Sequence, residues 1–577
     1  MEYMQKYESW INNTYFDEET RAELKGIAND EKEIKERFYK DLEFGTGGLR
    51  GIIGAGTNRM NQYTVGKATQ GLANYLMSKA NNGKALSVAI AYDSRNMSPE
   101  FAQKAGLVLA ANGIKAYVFC ELRPTPELSF AVRQLGCDGG IVITASHNPP
   151  EYNGYKVYGD DGGQVTYPRD EAIIAEVNKI QDYADVKCIS LEEAENKGLY
   201  QLIGAEIDDA YMAKLKEQSL NGDIIKKVAD DLKIVYTPLH GTGNMPVRRI
   251  LKEIGFKNVF VVPEQELPDK NFSTVSYPNP EDPKVFKLAL EIAKKVDADV
   301  IVGTDPDADR VGVVVKNNDG EYIVLTGNMT GALLTEYVLS QKKAKGLLKE
   351  NGAVIKTIVT TEMIRPIAEN YGVKVFDVLT GFKYIGEKIK EFEQTGCNVY
   401  EFGFEESYGC LAGTYARDKD AVVATMLVAE LTAFYKAQGI TIYDGLMALY
   451  KKYGYYREGI KSITLKGIEG VEKIQYIMEE LRKNPPTEFV GTKVEWNRDY
   501  KKKTFSNLLT GETEENLLPP SNVLHYTLAD GAWVCVRPSG TEPKIKIYYG
   551  VKGTSISDSE EKVNEIEEYV SRLIDNL

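Results

Sequence analysis

One pattern constrains the fold of this chain more than any other: a unit of strand, polar loop, helix, strand, helix and strand occurs three times in the same order. The copies span residues 87–149, 233–310 and 353–409. Short β-branched strands that alternate with helical patterns are typical of parallel α/β layers, and repetition in one order indicates a triplicated domain. From about Ser462 the pattern becomes strand-rich and closes on an amphipathic helix, which predicts an α+β domain.

The predicted fold class is therefore α/β. We expect three tandem, related α/β domains, each a mixed sheet flanked by helices, and a smaller C-terminal α+β domain, all around a central cleft. The predicted boundaries are 1–208, 209–325, 326–455 and 456–577. Because ligands of open α/β sheets bind beyond the carboxyl ends of strands, the polar loop that ends each repeat is expected to carry the chemistry.

Composition narrows the class of protein. A length of 577 residues is too great for one hydrophobic core. The 70 Lys and Arg against 84 Asp and Glu give a net charge of −14, which argues against nucleic-acid and membrane partners. The 3 His leave little room for a His-rich zinc site, and the 6 Cys include no CxxC pair. The most apolar helical stretch, residues 421–434, contains Glu430 and is shorter than the ~18 residues of a membrane span. We expect a cytoplasmic protein.

The loop that ends the first repeat, residues 144–149, places Ser146 beside His147 directly after a buried strand. A polar turn with Asn-Pro punctuation is the competing interpretation. The G-x-S-x-G nucleophile motif is excluded, because Thr144 and Asn148 stand at its glycine positions. If Ser146 is a nucleophile, it is not an ordinary esterase serine.

The loop that ends the second repeat carries carboxylates at alternate positions, Asp305, Asp307 and Asp309. Such a set suits a hard cation with oxygen ligands, and an acidic surface turn is the competing interpretation. An EF-hand is excluded, because Arg310 and Lys316 stand where it needs Gly and Glu. A site with few protein ligands leaves coordination positions open. This favours Mg²⁺ that shares a phosphate over a fully caged Ca²⁺.

Further loops suit sugars and phosphates. Glu405 and Ser407 offer oxygens for sugar hydroxyls, although paired glutamates are often a solvated surface. Residues 537–544 combine an arginine, two hydroxyls and glycine-exposed amides that suit a phosphate dianion, with a Pro/Gly turn as the alternative. Residues 45–51, 380–383 and 417–420 also suit anions, each balanced against ordinary turn chemistry. Strict nucleotide-binding glycine motifs are missing from the sequence.

Four segments in this order, TASHNP, DPDADR, FEES and RPSGTEPK, resemble the active-site loops of the α-D-phosphohexomutase superfamily. The spelling GFEESYG and the length resemble the branch that includes phosphopentomutases and bacterial enzymes of glucose phosphates. The resemblance implies reversible conversion of α-D-glucose 1-phosphate and glucose 6-phosphate through a phosphoserine, with glucose 1,6-bisphosphate as intermediate and activator. Action on mannose or pentose phosphates is the alternative on the same scaffold.

The resemblance also implies roles for individual residues. Ser146 would carry the phosphoryl group, and together with Asp305, Asp307 and Asp309 it would hold one Mg²⁺ per chain. The other implied catalytic residues are His147, Lys156 and Arg50, with Lys156 as a proton-transfer group. The implied substrate-binding residues are Arg310, Thr380, Gly381, Lys383, Glu405, Ser407, Arg417, Lys419, Arg537, Ser539, Gly540 and Thr541.

The chain departs from the superfamily at Gly409 and Tyr415, where related enzymes carry histidines, so the sequence does not identify the residue that transfers the proton.

Two other classes of protein also fit the sequence. A sugar-phosphate phosphatase could use Asp305 as nucleophile, although such enzymes want Thr or Val where Asp309 stands. A sugar-phosphate binding module would bind without turnover. Small-molecule sugar phosphates are the expected partners, with a monomer or homodimer as the assembly.

Overall fold

The computed structural model describes residues 2–45, 47–80, 84–465, 467–539 and 544–575. Three N-terminal helices precede the first sheet and enclose an aromatic cluster around Trp10 and Phe38. Asp17 and Asp30 cap the second and third of these helices by accepting main-chain N–H groups. The helices are α1 Glu2–Asn12, α2 Glu18–Gly26 and α3 Glu31–Phe38.

The first sheet has six strands in the order β1-β5-β4-β2-β3-β6. Strand β4 is buried along its whole length, as its apolar sequence predicts for a central strand. The elements are β1 Gly48–Ile52, α4 Gln62–Lys79, β2 Ser87–Tyr92, α5 Ser98–Ala111, β3 Lys115–Phe119, α6 Thr125–Leu135, β4 Gly139–Ile143, β5 Tyr152–Gly159, α7 Arg169–Lys179, α8 Leu191–Asn196, β6 Tyr200–Ile203 and α9 Ala205–Lys216, with a 3₁₀ turn at Tyr183–Asp185.

The second sheet has five strands in the order β11-β10-β9-β7-β8. Its elements are α10 Gly222–Val228, β7 Lys233–Thr237, α11 Asn244–Glu253, β8 Asn258–Val261, α12 Pro263–Glu266, α13 Lys287–Val296, β9 Val300–Thr304, β10 Val311–Lys316 and β11 Tyr322–Leu325, with a 3₁₀ turn at Pro283–Phe286. The third sheet has four strands in the order β13-β12-β14-β15. Its elements are α14 Gly327–Ala344, β12 Gly352–Thr357, α15 Ile364–Tyr371, β13 Lys374–Val378, α16 Phe382–Thr395, β14 Val399–Phe404, β15 Cys410–Leu411, α17 Ala421–Lys436 and α18 Ile442–Tyr453.

The three repeats share one topology, which confirms the predicted triplication. In each sheet the third strand of the repeat lies beside the first, and the first beside the second, all parallel (β4-β2-β3, β9-β7-β8 and β14-β12-β13). An antiparallel strand (β5, β10 or β15) then pairs with the third strand and makes each sheet mixed. Each candidate loop therefore connects a buried parallel strand to its antiparallel neighbour.

The fourth sheet is antiparallel, in the order β16-β23-β22-β21-β18-β19-β20, with β17 on β18. Its core includes Ile477 of one helix and Ile566 of the other. A second apolar cluster joins this sheet to the third, with Trp533 and Tyr548 packed near Ile358 and Leu379. The elements are β16 Tyr455–Thr464, α19 Gly467–Lys483, β17 Glu488–Phe489, β18 Thr492–Asp499, β19 Thr504–Asn507, β20 Thr513–Glu515, β21 Leu524–Leu528, β22 Trp533–Pro538, β23 Lys544–Gly553 and α20 Ile556–Asp575.

The apolar stretch singled out in the sequence is helix α17, which is buried from Ala421 to Ala433. Its Glu430 is also buried and accepts hydrogen bonds from the amides of Leu220 and Asn221 and from the Tyr337 hydroxyl. The carboxylate thus satisfies three polar groups, two in the loop before α10 and one on α14. Within the described part of the chain, no helix combines the length and the apolar character that a bilayer crossing requires.

Candidate active site

Ser146 lies in the loop between β4 and β5, with a left-handed backbone (φ 53°) that is uncommon for a serine. Its amide donates a hydrogen bond to the Thr144 hydroxyl at 2.8 Å. Its Oγ is buried, 3.0 Å from Asp305 Oδ2 and 3.1 Å from His147 Nδ1. The candidate nucleophile of the first domain thus contacts the carboxylate loop of the second.

Arg95 holds the serine loop in place, and the sequence analysis missed it. Its guanidinium donates to the main-chain oxygens of Ser146 (2.6 Å), Pro149 (2.8 Å) and Tyr152 (3.1 Å), and to that of Asn148. Asp93 pairs with Arg95 at 3.3 Å, and it also accepts from the Thr144 hydroxyl. Its place just after β2, at the carboxyl end of a parallel strand, was the available signal.

The carboxylates of Asp305, Asp307 and Asp309 are buried, and one ligand oxygen from each lies within 4.8 Å of the others. Asp305 Oδ1 accepts the main-chain N–H groups of Asp309 (3.1 Å) and Arg310 (3.0 Å). Its other oxygen, Oδ2, receives the Ser146 hydroxyl. The turn that brings these groups together has Ala308 in a left-handed conformation (φ 50°).

Two lysines hold the other two carboxylates. Lys156 Nζ on β5 lies 2.8 Å from Asp307 Oδ2 and 3.4 Å from Asp309 Oδ2. Lys419 Nζ lies 2.8 Å from Asp309 Oδ2. Among the residues the structure describes, Asp307 Oδ1 and Asp309 Oδ1 are buried and have no hydrogen-bond partner. Buried oxygens of this kind are the ligands that a divalent cation takes, so the donor set fits a metal ion.

Electrostatics support the same conclusion. Burial raises the pKa of Asp305 well above its usual value, and the neighbouring Asp309 and Asp307 carboxylates add to the effect. Burial acts in the same direction on Asp309, but Lys419, Lys156 and Arg310 outweigh it and hold its pKa well below the usual value. A buried cluster of like charges is stabilised by a bound cation.

Three more of the predicted residues surround Ser146. Arg50, on β1, donates from Nη1 to Asn148 Oδ1 at 3.4 Å. Arg310 pairs with Glu281 at 2.6 Å. Burial lowers the pKa of His147 well below its usual value, reinforced by Arg310 and Arg50, so the imidazole is neutral near pH 7. The structure thus brings these side chains together around the serine loop.

The third-domain loop supplies a carboxyl group close to the same place. Glu405 is buried and accepts the amide of Gly381 at 3.0 Å. Burial raises the pKa of Glu405 to about 7, against the effect of Lys419. Thr380 and Gly381 lie in the turn between β13 and α16, and Lys383 is in the first turn of α16. Ser407 is half-buried in the loop after β14.

The fourth domain directs a basic segment toward these loops. Arg537 on β22 pairs in register with Lys546 on β23. Burial lowers the pKa of Lys546, and nearby Arg537 and Arg310 lower it further, so these cations are close in space. Burial likewise lowers the pKa of Lys383. The Ser539 amide donates to the carbonyl of residue 544 at 2.8 Å.

Two predicted substrate-binding residues, Gly540 and Thr541, lie outside the described residues. Lys546, which lies near Arg537 and Arg310, was not predicted from the sequence. Its alternation with buried isoleucines along β23 was the available signal.

Comparison with known proteins decides the family. Sequence models of the phosphoglucomutase/phosphomannomutase family match this chain in four places: alpha/beta/alpha domains I, II and III at residues 41–184, 209–320 and 326–453, and the C-terminal domain at residues 478–572. The chain belongs to the phosphoglucomutase/phosphomannomutase family. It is a phosphohexomutase, an intramolecular phosphotransferase of carbohydrate metabolism.

Relatives of this phosphohexomutase match over almost the whole chain. A phosphoglucomutase of Staphylococcus epidermidis is 37% identical over 557 residues, 96% of this chain and 99% of that protein. One from Staphylococcus aureus is 38% identical over 532 residues, 92% of this chain and 93% of that protein.

Solved structures share the fold. An open form of the Paramecium phosphoglucomutase parafusin has a TM-score of 0.69 at 17% identity and covers 93% of this chain and 95% of that one. A phosphoglucomutase/phosphomannomutase family protein of Burkholderia thailandensis has a TM-score of 0.62 at 19% identity and covers 92% and 96%.

The structure gives a physical reason for one departure of this phosphohexomutase from its superfamily. A Cβ on Gly409 would lie 2.2 Å from Lys419 Cδ. Any side chain at position 409 therefore competes for space with the lysine that binds Asp309. Glycine at position 409 therefore leaves the space that the Lys419 side chain occupies.

The second departure has a structural role. The Tyr415 hydroxyl is buried and donates to Asp420 Oδ2 at 2.6 Å, beside Tyr211, which donates at 2.7 Å. Asp420 in turn caps α17 by accepting the amides of Val422 and Val423. Tyr415 thus stabilises the start of a buried helix in this phosphohexomutase.

Arg417 has partners other than substrate in this structure. Its side chain is buried and donates to the carbonyls of Thr414 (2.6 Å) and Ala416 (3.0 Å), and it pairs with Glu393 on α16. Its main-chain amide donates a hydrogen bond to Ser129 Oγ of the first domain at 2.8 Å. The substrate-binding role of Arg417 stays a prediction. The hydrogen bond to Ser129 joins the third domain of the phosphohexomutase to the first.

Proposed function

We propose that this phosphohexomutase interconverts α-D-glucose 1-phosphate and glucose 6-phosphate by means of a phosphoryl group carried on Ser146, with glucose 1,6-bisphosphate as intermediate and activator. The observation that carries the proposal is the contact of Ser146 Oγ with Asp305 at 3.0 Å, beside two buried carboxylate oxygens that have no hydrogen-bond partner among the described residues. The names of the full-length relatives support glucose phosphates as substrates.

Ser146 as phosphoserine and the three aspartates would hold one Mg²⁺, which when bound neutralises charge on the transferring phosphoryl oxygens. The chain's own cations assist. Arg310 Nε, which has no hydrogen-bond partner among the described residues, is suited to a phosphoryl oxygen. Phosphoryl transfer depends mainly on positioning and charge stabilisation, which this set of arginines and lysines supplies.

Lys156 is proposed to be protonated in this structure, so that it donates a proton rather than accepts one. Burial alone would lower its pKa, but Asp307 and Asp309 outweigh burial and raise it. A charged Lys156 can donate a proton to a leaving oxygen or stabilise the phosphoryl group. His147, neutral and 3.1 Å from Ser146 Oγ, can accept the serine proton when the phosphoryl group returns.

The remaining groups are proposed to bind the sugar and its second phosphate. Glu405 would accept hydroxyl groups of the sugar, with Ser407, Lys383, Thr380 and Gly381 beside it. The fourth-domain segment with Arg537 would bind the phosphate that does not react. Lys419, which is bonded to Asp309, would also contact the substrate. A cytoplasmic location and a monomeric or homodimeric state stay predictions.

The test compares Ser146→Ala with Ser78→Ala, a serine on α4 whose hydroxyl bonds only its own helix among the described groups. We expect Ser146→Ala to lower mutase turnover by about 10³-fold or more, as loss of a nucleophile does. Mass spectrometry after incubation with glucose 1,6-bisphosphate should show a phosphorylated Ser146 in the wild type. Substantial turnover by Ser146→Ala would refute the phosphoserine.

A substrate panel addresses the sugar. Glucose 1-phosphate, mannose 1-phosphate and a pentose 1-phosphate are assayed with glucose 1,6-bisphosphate as activator. The largest kcat/KM is expected for glucose 1-phosphate. Release of inorganic phosphate without isomerised sugar would favour a phosphatase instead.

A further inference from the structure

Helix α6 of the first domain begins against the aspartate loop of the second. The amide of Thr125, the first residue of the helix, donates to the carbonyl oxygen of Asp307 at 2.9 Å. Its hydroxyl donates to Asp307 Oδ2, also at 2.9 Å. Both residues are fully buried. One threonine therefore binds the main chain and the side chain of a residue 182 positions away.

The two hydrogen bonds have different consequences. The amide at the start of a helix has no partner within the helix, and the Asp307 carbonyl satisfies it. The hydroxyl acts on the carboxylate, whose Oδ2 also receives Lys156 Nζ at 2.8 Å. The other oxygen, Oδ1, has no partner among the described residues. Because the two oxygens of a carboxylate are rigidly linked, donors that fix Oδ2 also fix the direction of Oδ1.

Lys156 alone cannot fix that direction. Its ammonium group also lies 3.4 Å from Asp309 Oδ2, and its flexible stem allows it to favour either aspartate. The Thr125 hydroxyl sits on a buried helix end and bonds only one of the two. The hydroxyl orients the Asp307 carboxylate without adding a positive charge that would repel a bound cation.

We propose that Thr125 is a positioning residue that holds the Asp307 carboxylate with Oδ1 aimed at the divalent cation. The inference rests on the metal site of the proposed function. Partners of this kind, which orient a ligand without touching the metal, typically change metal affinity by about 10- to 100-fold when they are removed. Thr125 also couples the two domains that carry Ser146 and the aspartates, so it bears on the site as a whole.

Two pairs of proteins isolate the hydroxyl. Thr125→Val is compared with the wild type, since valine has the shape of threonine without the hydroxyl. Thr125→Ala is compared with Thr125→Ser, since both lack the methyl group and only serine keeps the donor. Thr335→Val is the control, because Thr335 is equally buried and its hydroxyl bonds its own helix.

The experiment measures the Kd of Mn²⁺ for the full, unphosphorylated chain by electron paramagnetic resonance, with Mg²⁺ competition. The expected Kd is about 10- to 100-fold weaker in Thr125→Val than in the wild type, with Thr125→Ala weaker than Thr125→Ser. Thr335→Val should bind as the wild type does. In turnover assays, the Mg²⁺ concentration for half-maximal rate should rise by the same factor.

Equal Kd values for the wild type and Thr125→Val, or for the serine and alanine variants, overturn the positioning role. If Thr125→Val does not fold, the serine and alanine pair decides alone. A wild type that binds no Mn²⁺, or that binds it equally well after Asp307→Ala, would instead refute the metal site, which is a different outcome.

Discussion

Gly409→Ala tests whether the glycine in the sugar loop exists to make room for Lys419. An added Cβ would lie 2.2 Å from Lys419 Cδ and 3.1 Å from its Cβ and Cγ. Carbon atoms in contact are normally about 3.5–4.0 Å apart, so the stem of the lysine must shift by about 1 Å or more. The shift pulls Nζ away from Asp309 Oδ2, to which it is bonded at 2.8 Å.

The magnitude follows from this overlap. An extra methyl group in a well-packed interior costs about 1–3 kcal/mol. If that cost falls on the arrangement that reacts, kcat decreases by about 5- to 160-fold, at 1.36 kcal/mol for each factor of ten. The pKa of Lys419 supports the importance of its partners, because burial would lower it and the nearby Asp309 and Asp418 raise it instead.

The assay is steady-state turnover of glucose 1-phosphate at saturating Mg²⁺ and activator. Gly222→Ala is the matched control, since no atom lies within 4 Å of its added Cβ, and kcat should stay that of the wild type. In a Lys419→Ala background, Gly409→Ala should have a much smaller effect, because Cγ and Cδ of the lysine are gone and only Cβ remains, at 3.1 Å. A Gly409→Ala enzyme with wild-type kcat, or an undiminished effect in that background, would refute the reasoning.

Three other predictions concern Glu405 and Tyr415. Because burial raises the pKa of Glu405 to about 7, kcat/KM should rise between pH 6 and 8 as the carboxylate ionises and binds hydroxyls better, and Glu405→Gln should flatten this limb. The same shift means that the stability Glu405 contributes is present below its unfolded pKa of about 4.3 and is lost as pH rises through about 7, which urea unfolding at several pH values measures. Tyr415→Phe should cost about 1–3 kcal/mol of stability through its bond to Asp420 while kcat stays unchanged. Tyr211→Phe removes the other hydroxyl hydrogen bond to Asp420 Oδ2 and is the control. A fall in kcat only in Tyr415→Phe would instead make Tyr415 the proton shuttle.

Much of the fold could be predicted from the sequence because its determinants are local. The alternation of β-branched runs with helical patterns defined three repeats, and the sheets share the strand order that a repeat requires. The loops at residues 144–149 and 305–310 could be located for the same reason, since each follows an apolar strand directly. In the structure the two loops meet, with Ser146 Oγ 3.0 Å from Asp305 Oδ2.

The partners of those loops depend on contacts between distant parts of the chain. The residues next to Thr125 in the sequence do not indicate its hydrogen bond to Asp307. Those next to Arg95 do not indicate that its guanidinium binds main-chain oxygens around Ser146. Arg417 has the motif of a phosphate ligand, yet Glu393 and nearby carbonyls hold it in this structure. Such pairings depend on which domains meet.

Local sequence is sufficient to predict the three α/β repeats, the strand-rich fourth domain and the residue types in each loop, because periodicity and turn chemistry act over a few residues. The tertiary structure is needed to know which aspartate oxygens are hydrogen-bonded and which have no partner among the described residues, that Lys419 fills the space beside Gly409, and that burial raises the pKa of Glu405 to about 7. These properties arise from burial and from charges brought together across domains, and both depend on distances that a sequence does not contain.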